Sequence, residues 1–194
     1  MLDIKVAAKA HNEKSARRNW RQLCDPDLSF DEPFFNDLIA LWRSKLGSAQ
    51  IPKRSAITIR ELKPFLTNIA IMERIKENPS QYRWKLVGTK VAQVLGEHTG
   101  KLLEDGITHE QLSRLSESFD MVLEAGQPWR FYGEVTLNGR DYLIAENLYL
   151  PLADEDGKAR FIMALCRYAS ASTEREDLRE RIENAMLSEP RGLL

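Results

Sequence analysis

Two cysteines in 194 residues, Cys24 and Cys166, are too few and too far apart for a disulfide framework or a CxxC zinc site. Their scarcity suits a reducing cytoplasm. No stretch reaches the roughly 18 uncharged apolar residues of a membrane-spanning helix. Lys5, Lys9 and Glu13 interrupt the N-terminus, where a secretory signal needs a continuous apolar run. Charge of one sign is missing as well: 28 basic and 29 acidic side chains leave a formal net charge of −1, so there is no global basic field for nucleic acid. These absences predict a soluble, cytoplasmic protein with no nucleic-acid partner and no transmembrane segment.

Chemical signatures are equally sparse. His11, His98 and His109 are the three histidines; none stands in an H-x-x-x-H repeat, and each is expected at the surface. There is no G-x-S-x-G elbow, and the carboxylates fall mostly on polar helix faces, with no pair marked for acid–base work. The loop GEHTGK (96–101) comes nearest to a phosphate cradle. That cradle needs four residues between its glycines, a Ser or Thr after the lysine, and a strand in front. Here Gly96 and Gly100 are separated by three residues, Leu102 follows Lys101, and a helical segment precedes the loop. Nucleotide hydrolysis is excluded, and the chain is not expected to be an enzyme.

What is present is a globular composition, 43% hydrophobic and 29% charged, long enough for one domain with a full core and some terminal material. Residues 1–24 carry Lys5, Lys9, Lys14, Arg17, Arg18 and Arg21 against Asp3 and Glu13, so residues 1–30 read as a basic, partly flexible arm. The first clear helix is the leading helix at 32–46. It has Asp31 as N-cap, Pro33 in the first turn and Gly47 as stop, with Phe34, Phe35, Leu38, Ile39, Trp42 and Leu46 on its apolar face. A short helical turn over 58–66 breaks at Pro64. Strand-like runs at 67–75 and 80–88 flank an Asn78-Pro79 turn, and 89–96 returns to helical spacing. A longer helix at 108–126 carries a Thr108/Gln111 capping box, a Gly126 stop and a stripe of Leu112, Leu115, Phe119, Val122 and Leu123.

Strands are predicted at 128–137, 141–152 and 159–169, the first two joined at Asn138-Gly139. A final helix over 172–190, with a Thr173/Glu176 capping box, has a narrow stripe of Leu178, Ile182, Ala185 and Met186. That stripe either docks on the domain or pairs with a second copy. Residues 31–170 thus form an α+β domain with an antiparallel sheet, followed by a C-terminal helix and tail at 171–194.

Several short motifs sharpen this. They are Trp42-Arg43, the turn Ile51-Pro52-x-Arg54, the strand end from Tyr82 to Thr89, the loop from Gly96 to Lys101, and the step Leu150-Pro151-Leu152. Together, over roughly residues 34–168, they resemble a PAS-like family found mainly in alphaproteobacteria. The resemblance implies a PAS-like five-stranded antiparallel sheet of order 2-1-5-4-3 with short helices on one face, plus N-terminal and C-terminal flanking helices. It gives Gly88, Gly96 and Gly100 turning roles. It also implies a sensory or interaction module, without an output domain on the chain, whose ligand, when present, lies between the inner sheet face and the helices.

The cofactor is unknown. Flavin is disfavoured because the Asn-Cys-Arg-Phe motif of light sensors is absent, and haem because only His98 and His109 are available in the domain. A small organic ligand and a homodimer or regulatory protein partner remain the expected partners. Candidate pocket residues are Trp84, Tyr132, Glu146, Asn147, Cys166 and Arg167, polar or bulky groups on otherwise apolar strands. Alternation groups Asn147 with Leu143, Ala145 and Tyr149, and Glu146 with Tyr142, Ile144 and Leu148; which set faces inward stays open. The competing expectation is a carrier or enzyme using the same α+β pocket.

Overall fold

A computed structural model describes residues 3–30, 32–135 and 143–170. The Asp31 cap, the Asn138-Gly139 turn and the helix expected over 172–190 lie outside the described residues. No helix among the described residues is long and apolar enough to cross a membrane.

Among the described residues, six antiparallel strands form one sheet in the order β1-β4-β5-β6-β2-β3. They are β1 (Gln22–Asp25), β2 (Ile69–Glu77), β3 (Ser80–Val87), β4 (Trp129–Glu134), β5 (Leu143–Ala153) and β6 (Ala159–Ser170). The five strands foreseen from the resemblance appear in the expected order, β3-β2-β6-β5-β4. The sixth comes from the N-terminal segment. There, α1 (Ile4–Arg17) starts at Asp3, whose carboxylate accepts from the backbone N–H groups of Lys5 and Val6, and β1 then runs beside β4, pairing Gln22 with Gly133 and Asp25 with Arg130.

Residues 3–30 include a docked helix and strand where the sequence suggests a basic, partly flexible arm. Ala8, Trp20, Leu23 and Cys24 are all buried, and removing this apolar surface from water outweighs the mutual repulsion of basic groups that remain on the outside. His11, expected at the surface, is buried too, its ring edge-on to Phe131 at 5.6 Å.

Gly133 is what lets β1 approach. A Cβ there would fall 2.2 Å from the Arg21 carbonyl oxygen and 2.7 Å from the Gln22 Cα. Gly133→Ala is accordingly expected to cost about 2 kcal/mol by overpacking. The measurement is urea denaturation with amide hydrogen exchange, and protection should fall first in β1; unchanged β1 protection would contradict the assignment.

Both sheet faces are covered. On the outer face lie α2 (Pro33–Ser44) and α3 (Ile59–Leu62). Phe35, Leu38, Ile39 and Trp42 of α2 pack on Ile69, Ile71, Leu148, Leu150, Met163 and Leu165. Each fully buried side chain of this kind contributes about 1.5–3 kcal/mol. The motifs of the sequence converge here: the Trp42 indole N–H donates to the Pro151 carbonyl at 2.8 Å, and the Ala153 N–H donates to the Pro52 carbonyl at 2.9 Å. Pro151 is tolerated because β4 pairing ends at Tyr149, so no ladder donor is required on that side.

On the inner face lie α1, α4 (Thr89–Leu95) and α5 (His109–Ala125). α5 begins with the foreseen capping box, Thr108 exchanging bonds with Gln111, and stops at Gly126 in the left-handed region. Phe119, Val122 and Leu123 are buried against the sheet, whereas Leu112 and Leu115 are half-buried. Asp120 fixes the helix laterally by accepting from the hydroxyls of Ser80 and Tyr82.

Candidate functional site

Between the inner sheet face and the helices α4 and α5 lies a cavity of about 70 Å³. Its floor includes Ala145, Asn147 and Tyr149 of β5 and Cys166 of β6, and its cover includes Arg114 and Phe119 of α5. The volume is several times what one water requires and well below that of pockets for drug-sized ligands.

Cross-strand register decides which candidates meet. Phe131, Asn147 and Cys166 stand opposite one another in one row, and Tyr132, Glu146 and Arg167 in the next. Neighbouring rows point to opposite faces. Trp84, Asn147 and Cys166 thus line the cavity. Tyr132, Glu146 and Arg167 lie on the other side of the sheet, in an ion-pair network.

That network is centred on Arg130, which is buried. Its guanidinium pairs with Glu146 at 2.6 Å and Asp25 at 3.2 Å and lies over the rings of Tyr132 and Phe30 at 4.7 and 5.3 Å. Arg167 reaches Glu146 at 4.0 Å and Glu32 at 3.4 Å. Because Asp25 belongs to β1, these pairs tie the N-terminal strand to β4 and β5. Three of the six candidates are therefore accounted for by holding the sheet together.

The cavity chemistry is protonated and quiet. Burial pushes the Cys166 thiol up to about 12, against a smaller opposing effect of its hydrogen bond with Tyr168, so it carries no thiolate for nucleophilic attack at neutral pH. Burial likewise raises Tyr149 and Tyr168 above the usual phenol range. Two polar residues that the sequence did not mark complete the lining. Gln22 of β1 is 6% exposed and its Oε1 has no hydrogen-bond partner among the described residues. Arg114 is 7% exposed; Nη1 donates to the Trp20 carbonyl at 3.2 Å, but Nε has no partner. The available signal for Arg114 was its i, i+4, i+8 spacing with Ser118 and Val122, which places all three on one buried side.

The GEHTGK loop borders the site and has a structural task. The Gly100 N–H donates to the Trp84 carbonyl at 2.7 Å, and the Trp84 N–H to the Lys101 carbonyl at 3.0 Å. Gly96 and Gly100, at φ 101° and 85°, occupy backbone that side chains disfavour. His98, which the sequence placed at the surface, is half-buried: its ring stacks on Trp84 at 5.9 Å and Nε2 lies 2.9 Å from the Leu95 carbonyl. His109 is exposed, as expected. Among the described residues no group of His, Cys, Asp and Glu is arranged to hold a metal ion.

Residues 31–166 match the family model described as a PAS domain. The chain belongs to the PAS domain family. Among solved structures, this PAS chain is similar to a sensory box histidine kinase/response regulator from Burkholderia thailandensis E264. The TM-score is 0.38 and the identity 10%, over 65% of this chain and 93% of that one. No curated protein matches the chain significantly. The matched segment begins after α1 and β1, so this PAS domain carries an additional helix and edge strand, and Gln22 on that strand reaches the cavity.

Proposed function

We propose that this PAS domain is a non-catalytic sensory and regulatory module. A small organic molecule enters the inner-face cavity, and the change is passed to a second copy of the chain or to a regulatory protein in the cytoplasm. The observation that carries this is the placement of Gln22. It is a buried residue with an unpartnered carbonyl, it lines the cavity, and it belongs to the edge strand β1. A ligand that engages the Gln22 amide, which turns to present its oxygen to a donor or its NH2 group to an acceptor, acts directly on β1 and, through Trp20, on α1. Burial of the cavity thiol in its neutral form favours binding over covalent chemistry.

Native mass spectrometry of the freshly purified full chain is the test. The expected spectrum shows a dimer, or a retained small molecule, or both, and displacing that molecule should change amide exchange in α1 and β1. A ligand-free monomer that recovers no protein partner would overturn the proposal. So would turnover of a retained molecule, which would make the cavity an active site.

A further inference from the structure

Resting on the ligand-cavity reading, the head group that the cavity is built to take can also be named. One charged side chain faces it, that of Arg114; Glu134 also borders the cavity, but alternation with Gly133 turns its side chain to the other face of the sheet. Glu134 is already committed to Arg21 at 2.9 Å. Arg114 has no such partner. Its guanidinium is buried, makes one bond to a neutral backbone carbonyl, and keeps Nε without an acceptor among the described residues. Glu110, four residues earlier on α5, acts on it electrostatically without forming an ion pair among the described residues.

An arginine cannot shed its proton at physiological pH, and an ionised group out of water is costly unless it is paired. The arrangement therefore leaves a fixed positive charge, with open donor capacity, at the wall of a partly open, mainly apolar cavity. Opposite it, Ala70, Ala145 and Ala164 present small apolar surfaces, and Asn147 supplies an amide. The cavity of about 70 Å³ has room for a ligand of roughly four to six non-hydrogen atoms.

We propose that this cavity binds a short monocarboxylate, its acid group on the Arg114 guanidinium and its apolar tail against the alanines of the sheet. Guanidinium and carboxylate match as planar, charge-assisted partners. The tail meets a surface that needs no hydrogen bond. Binding supplies the missing counter-charge, so occupied and empty states differ in the electrostatics of α5 as well as in packing.

The test is a titration of the full wild-type chain, followed by ¹H–¹⁵N correlation spectra, with acetate, propionate and butyrate. Propionamide and butyramide serve as neutral isosteres, and sodium chloride as an ionic-strength control. The acids are expected to shift signals of cavity residues, including the Asn147 amide and the Arg114 Nε–H, and to bind more than tenfold tighter than the amides. Arg114→Met should abolish that preference, and Arg114→Lys should retain part of it.

Should Arg114→Met fail to fold, the acid-against-amide comparison on the wild type still decides. Equal affinity for acids and amides would overturn the carboxylate assignment while leaving the ligand cavity standing. Binding of no probe at all would overturn it as well, with native mass spectrometry deciding separately whether the cavity takes a different molecule.

Discussion

Gly88→Ala is expected to lower the midpoint of thermal unfolding by roughly 10 °C, a cost of about 3 kcal/mol in a chain of this size. The cause is close approach. Gly88 follows β3 and precedes α4, and its N–H donates to the Ile69 carbonyl at 2.7 Å. A Cβ would fall 2.2 Å from the Leu66 oxygen, 2.6 Å from the Thr67 oxygen and 2.8 Å from the Ile69 oxygen. All three are backbone atoms at the entrance to β2, a strand flanked on both sides by β3 and β6, so none can swing away as a side chain would. Gly157→Ala is the control: its φ is 84°, but nothing lies within 4 Å of the added methyl, and it should cost only about 1 kcal/mol. Equal midpoints for the two variants would contradict the crowding.

Gly88 also shows what a sequence conceals. The motif ending in Gly88-Thr89 was legible, but the turning role it suggested was not the operative one. With φ at −67° the residue has ordinary backbone, and it must be glycine because a distant segment passes over it. The same holds for Gly133 and β1. Elements whose signals are local were readable: the Thr108 capping box, the Gly126 stop, and the apolar runs of β2, β5 and β6. α1 was not, because its buried residues are Ala8, His11 and Ser15, too small or too polar to draw an apolar stripe. Nor was β1, which is four residues long and preceded by Asn19 and Arg21 with positive φ.

The site was half legible for a related reason. Alternation along β5 correctly separated Asn147 from Glu146, but hydrophobicity could not choose the inner face, since helices cover both. The choice came from register and from the position of α5. Trp84, Asn147 and Cys166 fell on the cavity, and Tyr132, Glu146 and Arg167 on the network around Arg130. Gln22 was hidden in a segment read as an arm. Arg114 was hidden between the positions of a leucine stripe, where a charged residue normally reaches solvent.

His11 makes the N-terminal helix acid-sensitive. Burial holds its pKa down to about 4 from 6.5; Glu117 opposes this, while Lys14 and Arg114 reinforce it. The fold therefore favours the neutral ring. Above pH 6.5 the folded and unfolded chains both carry it neutral, and the full stability is present. As pH falls from 6.5 to 4, the unfolded chain binds a proton that the folded chain refuses, and stability is lost across that window, by about 3 kcal/mol in total. That is a large share of the roughly 5–15 kcal/mol that holds a typical domain together.

His11→Leu keeps apolar contact with Phe131 and Trp20 and removes the titration. At pH 7 it should be neutral or mildly stabilising, because His11 Nε2 has no partner among the described residues. Other carboxylates titrate in both proteins, so the informative quantity is the difference between their urea-denaturation free energies at pH 7, 6, 5 and 4. The wild type should lose ground steadily below pH 6.5, with exchange protection in α1 falling before that in β5 and β6. Parallel pH curves would show that the folded and unfolded chains protonate His11 alike, and that α1 does not depend on a neutral ring.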